Sequence, residues 1–213
     1  TILATTLFPF HDWLEGLTNV SYCWKPSGTF SLLRLPGVWR ASLYAREGQS
    51  IEQALTDEGL QDLLHDIVPE AGPIEVLESR PYRIHKRLAS AYRKGRVFLA
   101  GDAAHLNSPS GGMGMNGGLH DAFNLTEKLV SVLHGGADER LLDRYERQRR
   151  PIAEEEIIAQ AHRNRTRMQE RDPERRLGML KDLQQTIGDP MKLKAYLMKS
   201  SMIDGLRRAA ATE

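Results

Sequence analysis

The sequence predicts an α+β fold, and three observations carry that prediction. The first half alternates apolar and polar residues with the two-residue period of strands, while the second half repeats apolar residues at helical spacing. Between them a short apolar run, Val97-Phe98-Leu99-Ala100, opens into a glycine-rich loop that feeds a helix. Strands first and helices afterwards is the α+β order. It divides the chain into a β-rich region with one helix at 1–92 and a region ending in long helices at 93–213.

Each element has a local cause. Ile2-Leu3-Ala4-Thr5-Thr6-Leu7 begins as if already inside a sheet. Val20, Tyr22 and Trp24 alternate with small or polar neighbours, as do Phe30 and Leu32, then Trp39, Ala41 and Leu43. Leu35-Pro36-Gly37 is a turn between two of these runs, which makes them antiparallel neighbours. Ser50-Ile51-Glu52-Gln53 has the capping-box pattern and opens a helix expected to end near Val68-Pro69. A further strand is expected from Ile74 to about Lys86, and Val97 to Ala100 forms a short buried strand. A helix from Asn116 to about Leu133 carries Leu119, Phe123, Leu129, Val130 and Leu133 as a core-facing stripe, and Gly135-Gly136 ends it. A long charged helix follows over 139–169, kinked or restarted at Pro151. Its Arg147, Arg149 and Arg150 are expected on a solvated face, paired with Glu154 to Glu156. Helices over 174–187 and 190–208 complete the chain.

Composition narrows the function classes. With 40% hydrophobic residues and a formal charge of +1, nothing points to nucleic acid or an anionic membrane as partner. Cys23 is the single cysteine, so no internal disulfide forms and a cytoplasmic location is expected. It sits in a strand pattern, as a small core residue does. No signal peptide and no apolar run of bilayer length are evident.

The chemistry is concentrated between Gly101 and Gly118. Gly111, Gly112, Gly114, Gly117 and Gly118 precede a helical pattern, and glycine so dense permits tight turns or close approach of backbone to a ligand. Gly112-Met113-Gly114-Met115-Asn116-Gly117 satisfies the dinucleotide fingerprint G-x-G-x-x-G. That fingerprint belongs in the turn directly after a strand, with an acidic residue about 20 positions on. Here some ten residues, Pro109 among them, separate Gly112 from the strand, and Asp138 and Glu139 follow a helix end. No Gly-Lys-Ser/Thr closes the run as a phosphate-binding P-loop requires. His105 and His120 lack a third zinc ligand at suitable spacing, so no metal is expected. Ser108 and Ser110 are not in a nucleophile elbow. His105 is expected to orient the loop, and Asp121 and Asn124 to tie the helix to it.

Arg96 to His105, with its Gly-Asp-Ala-Ala-His end, then Pro109, then Gly111 to Asn116, then Asp121-Ala122-Phe123-Asn124-Leu125, resembles the second half of the flavin site in one family. That family is the single-component FAD-dependent aromatic monooxygenases, the phenol and para-hydroxybenzoate hydroxylases among them. The match holds order and spacing over some thirty residues. The resemblance implies that Gly101 and Asp102 meet the ribityl chain of FAD, the Asp102 carboxylate accepting from a hydroxyl. It implies that backbone from Gly112, Met113, Gly114, Met115 and Asn116 faces the pyrimidine edge of the flavin, where a helix start favours negative charge. Pro109 would stand beside the ring, its carbonyl near the substrate. The family often has proline where this chain has Ser108, which bears on the loop's detailed geometry.

By the same resemblance, the β-rich region is the roof that holds an aromatic, phenolic substrate, and 93–213 is the later part of the FAD-binding domain. NAD(P)H would reduce FAD, O2 would form a flavin C4a-hydroperoxide, and oxygen would pass to the substrate. Tyr22, Trp24, Arg34, Trp39 and Tyr44 stand either in such a pocket or in the sheet's other face. The family's N-terminal βαβ unit, with its glycine fingerprint, and its Asp-Gly element are not in this sequence. The expected partners are therefore the N-terminal part of the same protein and, in a homodimer, a second copy. Two alternatives stay open: a non-catalytic fragment or binding module unable to hold FAD alone, and a related flavoprotein reductase or halogenase.

Overall fold

A computed structural model describes residues 1–25, 27–109 and 112–213. They form two compact units, Thr1–Arg83 with Met168–Pro173, and Ile84–Arg167 with Glu174–Glu213. The fold is α+β, as expected. Residues 84–92, given to the first region on sequence, belong to the second unit, where Tyr92 is a fully buried core side chain.

The first unit is built on one antiparallel sheet. Its strands are β1 (Ile2–Thr6), β2 (Val20–Lys25), β3 (Gly28–Leu35), β4 (Val38–Leu43) and β5 (Val76–Pro81), in the order β2-β3-β4-β1-β5. The Pro36-Gly37 turn, with Gly37 at φ 77°, joins β3 to β4 and sets Leu35 opposite Val38. Alternation then fixes the faces. Ile2, Ala4, Phe30, Leu32, Trp39, Ala41 and Leu43 form the buried face, packed with Phe10 and with Leu60, Leu63 and Leu64 from the helical segment. Leu3, Thr5, Tyr22, Ser31, Leu33, Arg40 and Ser42 lie on the opposite, more open face.

Between these strands stand α1 (Phe10–Trp13), α2 (Ile51–Ala54) and α3 (Asp57–His65). The Ser50 capping box is reciprocal: Gln53 N–H donates to Ser50 Oγ at 3.1 Å, and Ser50 N–H to Gln53 Oε1 at 2.9 Å. The helix expected to run on to Val68 is broken after Ala54. Thr56 starts a second helix by accepting from the Gly59 N–H, and Gly59 lies so close to the Gln53 carbonyl that any Cβ there would clash. The strand expected over 74–86 is shorter, ending at Pro81. Trp24 Nε1 donates to the Met168 carbonyl at 3.0 Å within this unit.

The second unit has two small ribbons, β6 (Arg87–Leu88) with β9 (His105–Leu106), and β7 (Arg93–Lys94) with β8 (Val97–Phe98). A single 3-10 turn, Gly101–Ala103, follows β8. The helices are α4 (Met113–Leu133), α5 (Asp143–Ile152), α6 (Ala159–Gln169), α7 (Pro173–Gly188), α8 (Pro190–Ser200) and α9 (Ile203–Ala211). Pro151 does not break the charged helix. It lies inside α5, and a π-helical stretch, Ala153–Ile158, links α5 to α6. The last expected helix is split at Met202, a buried residue held at φ 63°, so α8 and α9 are separate. No helix among the described residues is long and apolar enough to cross a membrane.

Two further expectations fail in an instructive way. The run Val97 to Ala100 is not a buried strand: β8 is two residues long, paired on one side only, and Val97 is 66% exposed. The stripe on α4 is inverted. Leu119, Phe123, Val130 and Leu133 are exposed, Phe123 by 73%, while Met113, Gly117, Asp121 and Lys128 face inward. The packing of that inward face explains the reversal.

Candidate cofactor site

The loop between β8 and α4 is held to α4 by contacts that only small residues allow. A Cβ on Gly118 would sit 3.1 Å from the Gly101 Cα, and one on Gly114 would sit 3.2 Å from Asn107 Oδ1. On Gly117 it would overlap Ile157 Cδ1 and approach His105 Cε1 to 3.3 Å. The glycines therefore bring the helix within backbone contact of the loop. Gly101 itself has φ 59°, the left-handed region, which turns the chain sharply where β8 ends.

Asp121 ties this arrangement together from one turn further along α4. Its Oδ2 accepts from the Gly101 N–H at 3.1 Å and from His105 Nε2 at 2.8 Å, and its Oδ1 accepts from Arg149 Nε at 2.8 Å. The carboxylate is fully buried. Burial by itself disfavours its ionised form, but the bonds from His105 and Arg149 and the Arg149 charge outweigh that, holding its pKa below the usual carboxylate value. Asn124 ties α4 to α5, its Nδ2 donating to Gln148 Oε1 at 3.0 Å and its Oδ1 receiving Lys128 Nζ at 2.8 Å. The orienting role expected of His105 and the tying roles of Asp121 and Asn124 are what the geometry contains.

Two groups are left presented outward. Asp102 is exposed, and no described residue bonds to its carboxylate. At the start of α4, Gly112 is the N-cap in a left-handed conformation with no side-chain cap, and no acidic residue occupies the first turn. The Gly112 N–H is taken by the Pro109 carbonyl at 3.0 Å, and Asn116 Nδ2 donates to the Gly112 carbonyl at 2.9 Å. Among the described residues the N–H groups of Met113, Gly114 and Met115 then have no helical acceptor, and the helix dipole adds positive potential there. Met113 is buried, while Met115, Asn116 and Pro109 are exposed. Ser110 and Gly111, also part of the glycine motif, lie outside the described residues. A carboxylate that accepts and a helix start that donates fit a hydroxyl-bearing, partly anionic ligand.

Arg149 was not anticipated in this role. It is 1% exposed and bonded to Asp121, not set on a solvated face. Of the expected pairs only Arg150 with Glu154 forms, at 3.8 Å; Glu155 and Glu156 pair instead with Arg208. Charge alone gave no sign of this. The signal available was spacing: Tyr145 and Arg149 are four apart on one helical face, and both are buried. In the first unit, Trp39 is on the buried face with the Arg34 guanidinium 5.8 Å over its ring, whereas Tyr22 and Trp24 are on the opposite face.

Comparison with known proteins sets the class of the chain that carries this loop and helix start. Residues 25–160 match the FAD binding domain family, so the chain belongs to that family, the FAD-dependent aromatic monooxygenases. It is 32% identical to a para-nitrophenol 4-monooxygenase of Pseudomonas sp. (strain WBC-3) over 97% of this chain and 52% of that protein. Over 47% of this chain and 19% of the relative it is 49% identical to pentachlorophenol 4-monooxygenase of Sphingobium chlorophenolicum. Among solved structures, p-nitrophenol 4-monooxygenase from Pseudomonas putida DLL-E4 superposes with a TM-score of 0.76 at 29% identity, covering 92% of this chain and 51% of that one. A ternary complex of aklavinone-11 hydroxylase with FAD and aklavinone gives 0.66 at 29% identity, covering 79% and 32%. The chain thus spans about half the length of the first of these relatives and less of the second.

Proposed function

We propose that the chain is part of a monooxygenase that uses FAD, NAD(P)H and O2 to hydroxylate an aromatic, phenolic substrate. The observation that carries this reading is the pairing of a free Asp102 carboxylate on a left-handed turn with the uncapped start of α4. Asp102 accepts a hydrogen bond from a ribityl hydroxyl. The free N–H groups of Met113, Gly114 and Met115 stabilise negative charge at the pyrimidine edge, as donors fixed in advance stabilise charge in other active sites. Pro109 bounds the ring, and Gly101 and Gly112 supply the turns. Bound FAD would supply the electron transfer and oxygen activation; the chain's residues bind, orient and exclude water. The open face of the first unit's sheet, with Tyr22, Ser31 and Arg40, is the surface on which an aromatic hydroxyl compound would be held.

The remaining part of the flavoprotein is the natural cover for the exposed stripe of α4. Met115, Leu119, Phe123, Val130 and Leu133 recur at helical spacing on one face and are all exposed, and such contiguous apolar faces mark interaction sites. A second reading follows from that stripe and from the half-length match. Alone, the chain would bind partner protein but hold FAD weakly, and a preparation without flavin colour would favour that reading.

The test is reconstitution of the full-length protein with FAD and NAD(P)H. Oxygen uptake stimulated by a phenol, with hydroxylated product, is expected. Uptake without product refutes the hydroxylase assignment. Asp102→Ala should lower the FAD content, and an unchanged content removes Asp102 from the cofactor site.

A further inference from the structure

We infer that Arg149 is a positioning residue for the cofactor turn, acting through Asp121 to fix the Gly101 peptide and so the direction in which Asp102 is presented. This inference rests on the proposed flavin site. The geometry has three links in a row. Arg149 Nε donates to Asp121 Oδ1 at 2.8 Å, the other carboxylate oxygen accepts the Gly101 N–H at 3.1 Å, and Asp102 is the next residue. One turn earlier on α5, the Tyr145 hydroxyl donates to the Leu99 carbonyl at 2.7 Å. The same side of α5 therefore holds the peptides on both sides of Ala100, just where the chain leaves β8.

Neighbouring α5 residues hold the strand leading in. Glu146 Oε2 accepts the Tyr92 and Arg93 N–H groups at 2.7 and 3.0 Å, and Arg150 Nε donates to the Ala89 carbonyl at 3.0 Å. Four hydrogen bonds made by Tyr145, Glu146 and Arg150 thus connect one helix to the β6–β8 segment and its turn.

Stability alone is a poor reason to keep such a pair buried. Apolar residues of similar volume often replace a buried ion pair without loss, because desolvating both charges offsets their attraction. What apolar packing cannot do is orient a peptide N–H. A carboxylate locked from one side by a guanidinium and from the other by His105 has a single direction left for the Gly101 N–H. The left-handed Gly101, free to adopt many conformations on its own, is held in one of them.

The experiment uses the full-length flavoprotein and four variants: Arg149→Lys, Arg149→Ala, Asp102→Ala and Arg208→Gln. Arg208→Gln breaks pairs with Glu155 and Glu156 elsewhere in the unit, so it is the control for lowered stability. FAD dissociation constants and the visible circular dichroism of bound flavin are measured well below each melting temperature. Arg149→Lys keeps the charge but loses the fixed fork, and should raise the FAD dissociation constant at least about tenfold with an altered flavin dichroism. Arg208→Gln should melt earlier with both readings unchanged. Methylguanidinium should restore FAD binding to Arg149→Ala. If Asp102→Ala weakens FAD while Arg149→Lys does not, or Arg149→Lys and Arg208→Gln behave alike, the positioning role is wrong. If Asp102→Ala leaves FAD binding intact, the flavin site itself is wrong and this role falls with it.

Discussion

Gly117→Ala tests the claim that small residues on α4 are required by close approach rather than tolerated. Two effects oppose each other. In a helix interior alanine is favoured over glycine by about 1 kcal/mol. Against that, the new Cβ overlaps Ile157 Cδ1, and Ile157 is fully buried with nowhere to move. Overpacking of this kind costs about 1–3 kcal/mol, so the single change should destabilise by roughly 0–2 kcal/mol. Ile157→Val alone removes the methyl group in question and should cost about 0.5–1.5 kcal/mol. The informative quantity is the double variant. With the δ-methyl gone only the 3.3 Å approach to His105 Cε1 opposes the helical gain, so Gly117→Ala/Ile157→Val should be more stable than Ile157→Val by up to about 1 kcal/mol. Urea unfolding followed by far-UV circular dichroism suits this unit, because all three tryptophans, Trp13, Trp24 and Trp39, are in the other. Additivity of the two single changes to within about 0.5 kcal/mol would refute the steric account.

Ser50→Ala removes one half of the capping box and should cost about 1 kcal/mol, read by tryptophan fluorescence in the first unit, with FAD content unaffected. His120 gives a pH signature. Burial, then the nearby Arg149 charge, push its pKa below the ordinary 6.5 although Asp121 opposes them. The unfolded chain thus takes up this proton at higher pH than the folded one. The stabilising contribution is present above about pH 6.5 and is lost as pH falls through the folded value. Melting temperatures from pH 7 to pH 5 should therefore fall less steeply in His120→Gln than in the parent, and identical slopes would exclude the effect. Phe123→Lys, on the exposed stripe, should change the stability of the chain by no more than about 0.5 kcal/mol yet impair assembly of the full-length flavoprotein. Size-exclusion profiles and flavin content check this, and normal assembly would leave the stripe without its proposed role.

What was legible in the sequence was local. The hairpin at Pro36-Gly37, the cap at Ser50 and the glycine stop after Leu133 each depend on a few adjacent residues whose chemistry permits little else. The close-packed loop before α4 was legible because its glycines fall within a few adjacent positions. What was missed depended on which surfaces meet. Periodicity marks the Leu119, Phe123, Val130 and Leu133 side of α4 as apolar but does not say what it faces, and in this chain it faces outward. Likewise Arg149 differs from Arg147 in nothing that composition records. Only the fold brings it to a buried carboxylate 28 positions away in sequence. Val97 shows the same limit, since a strand's apolar character does not reveal whether a neighbour is present on both edges.

The inverted helix has a consistent physical logic. The proposed flavin site needs backbone N–H groups from the start of α4 and a turn close beside them. Large side chains on the face of α4 toward the loop would hold the two apart, so that face carries Gly114, Gly117 and Gly118 and has little apolar area to bury. Polar ties supply what packing cannot: Asp121 to the turn and to α5, Asn124 to Gln148, and Lys128 to Asn124. The helix's substantial apolar surface is then left for its other side. Fully covering a side chain such as Leu or Phe is worth about 1.5–3 kcal/mol, so covering the stripe would contribute on the order of 5 kcal/mol or more to an association. On the proposed reading such a helix serves two partners at once, close-packed against its own loop through glycine and open to a second protein surface through leucine and phenylalanine. Loss of the second partner should then weaken FAD binding without disordering the turn, and hydrogen exchange at the Gly101 amide in the isolated chain would detect a turn that fails to stay ordered.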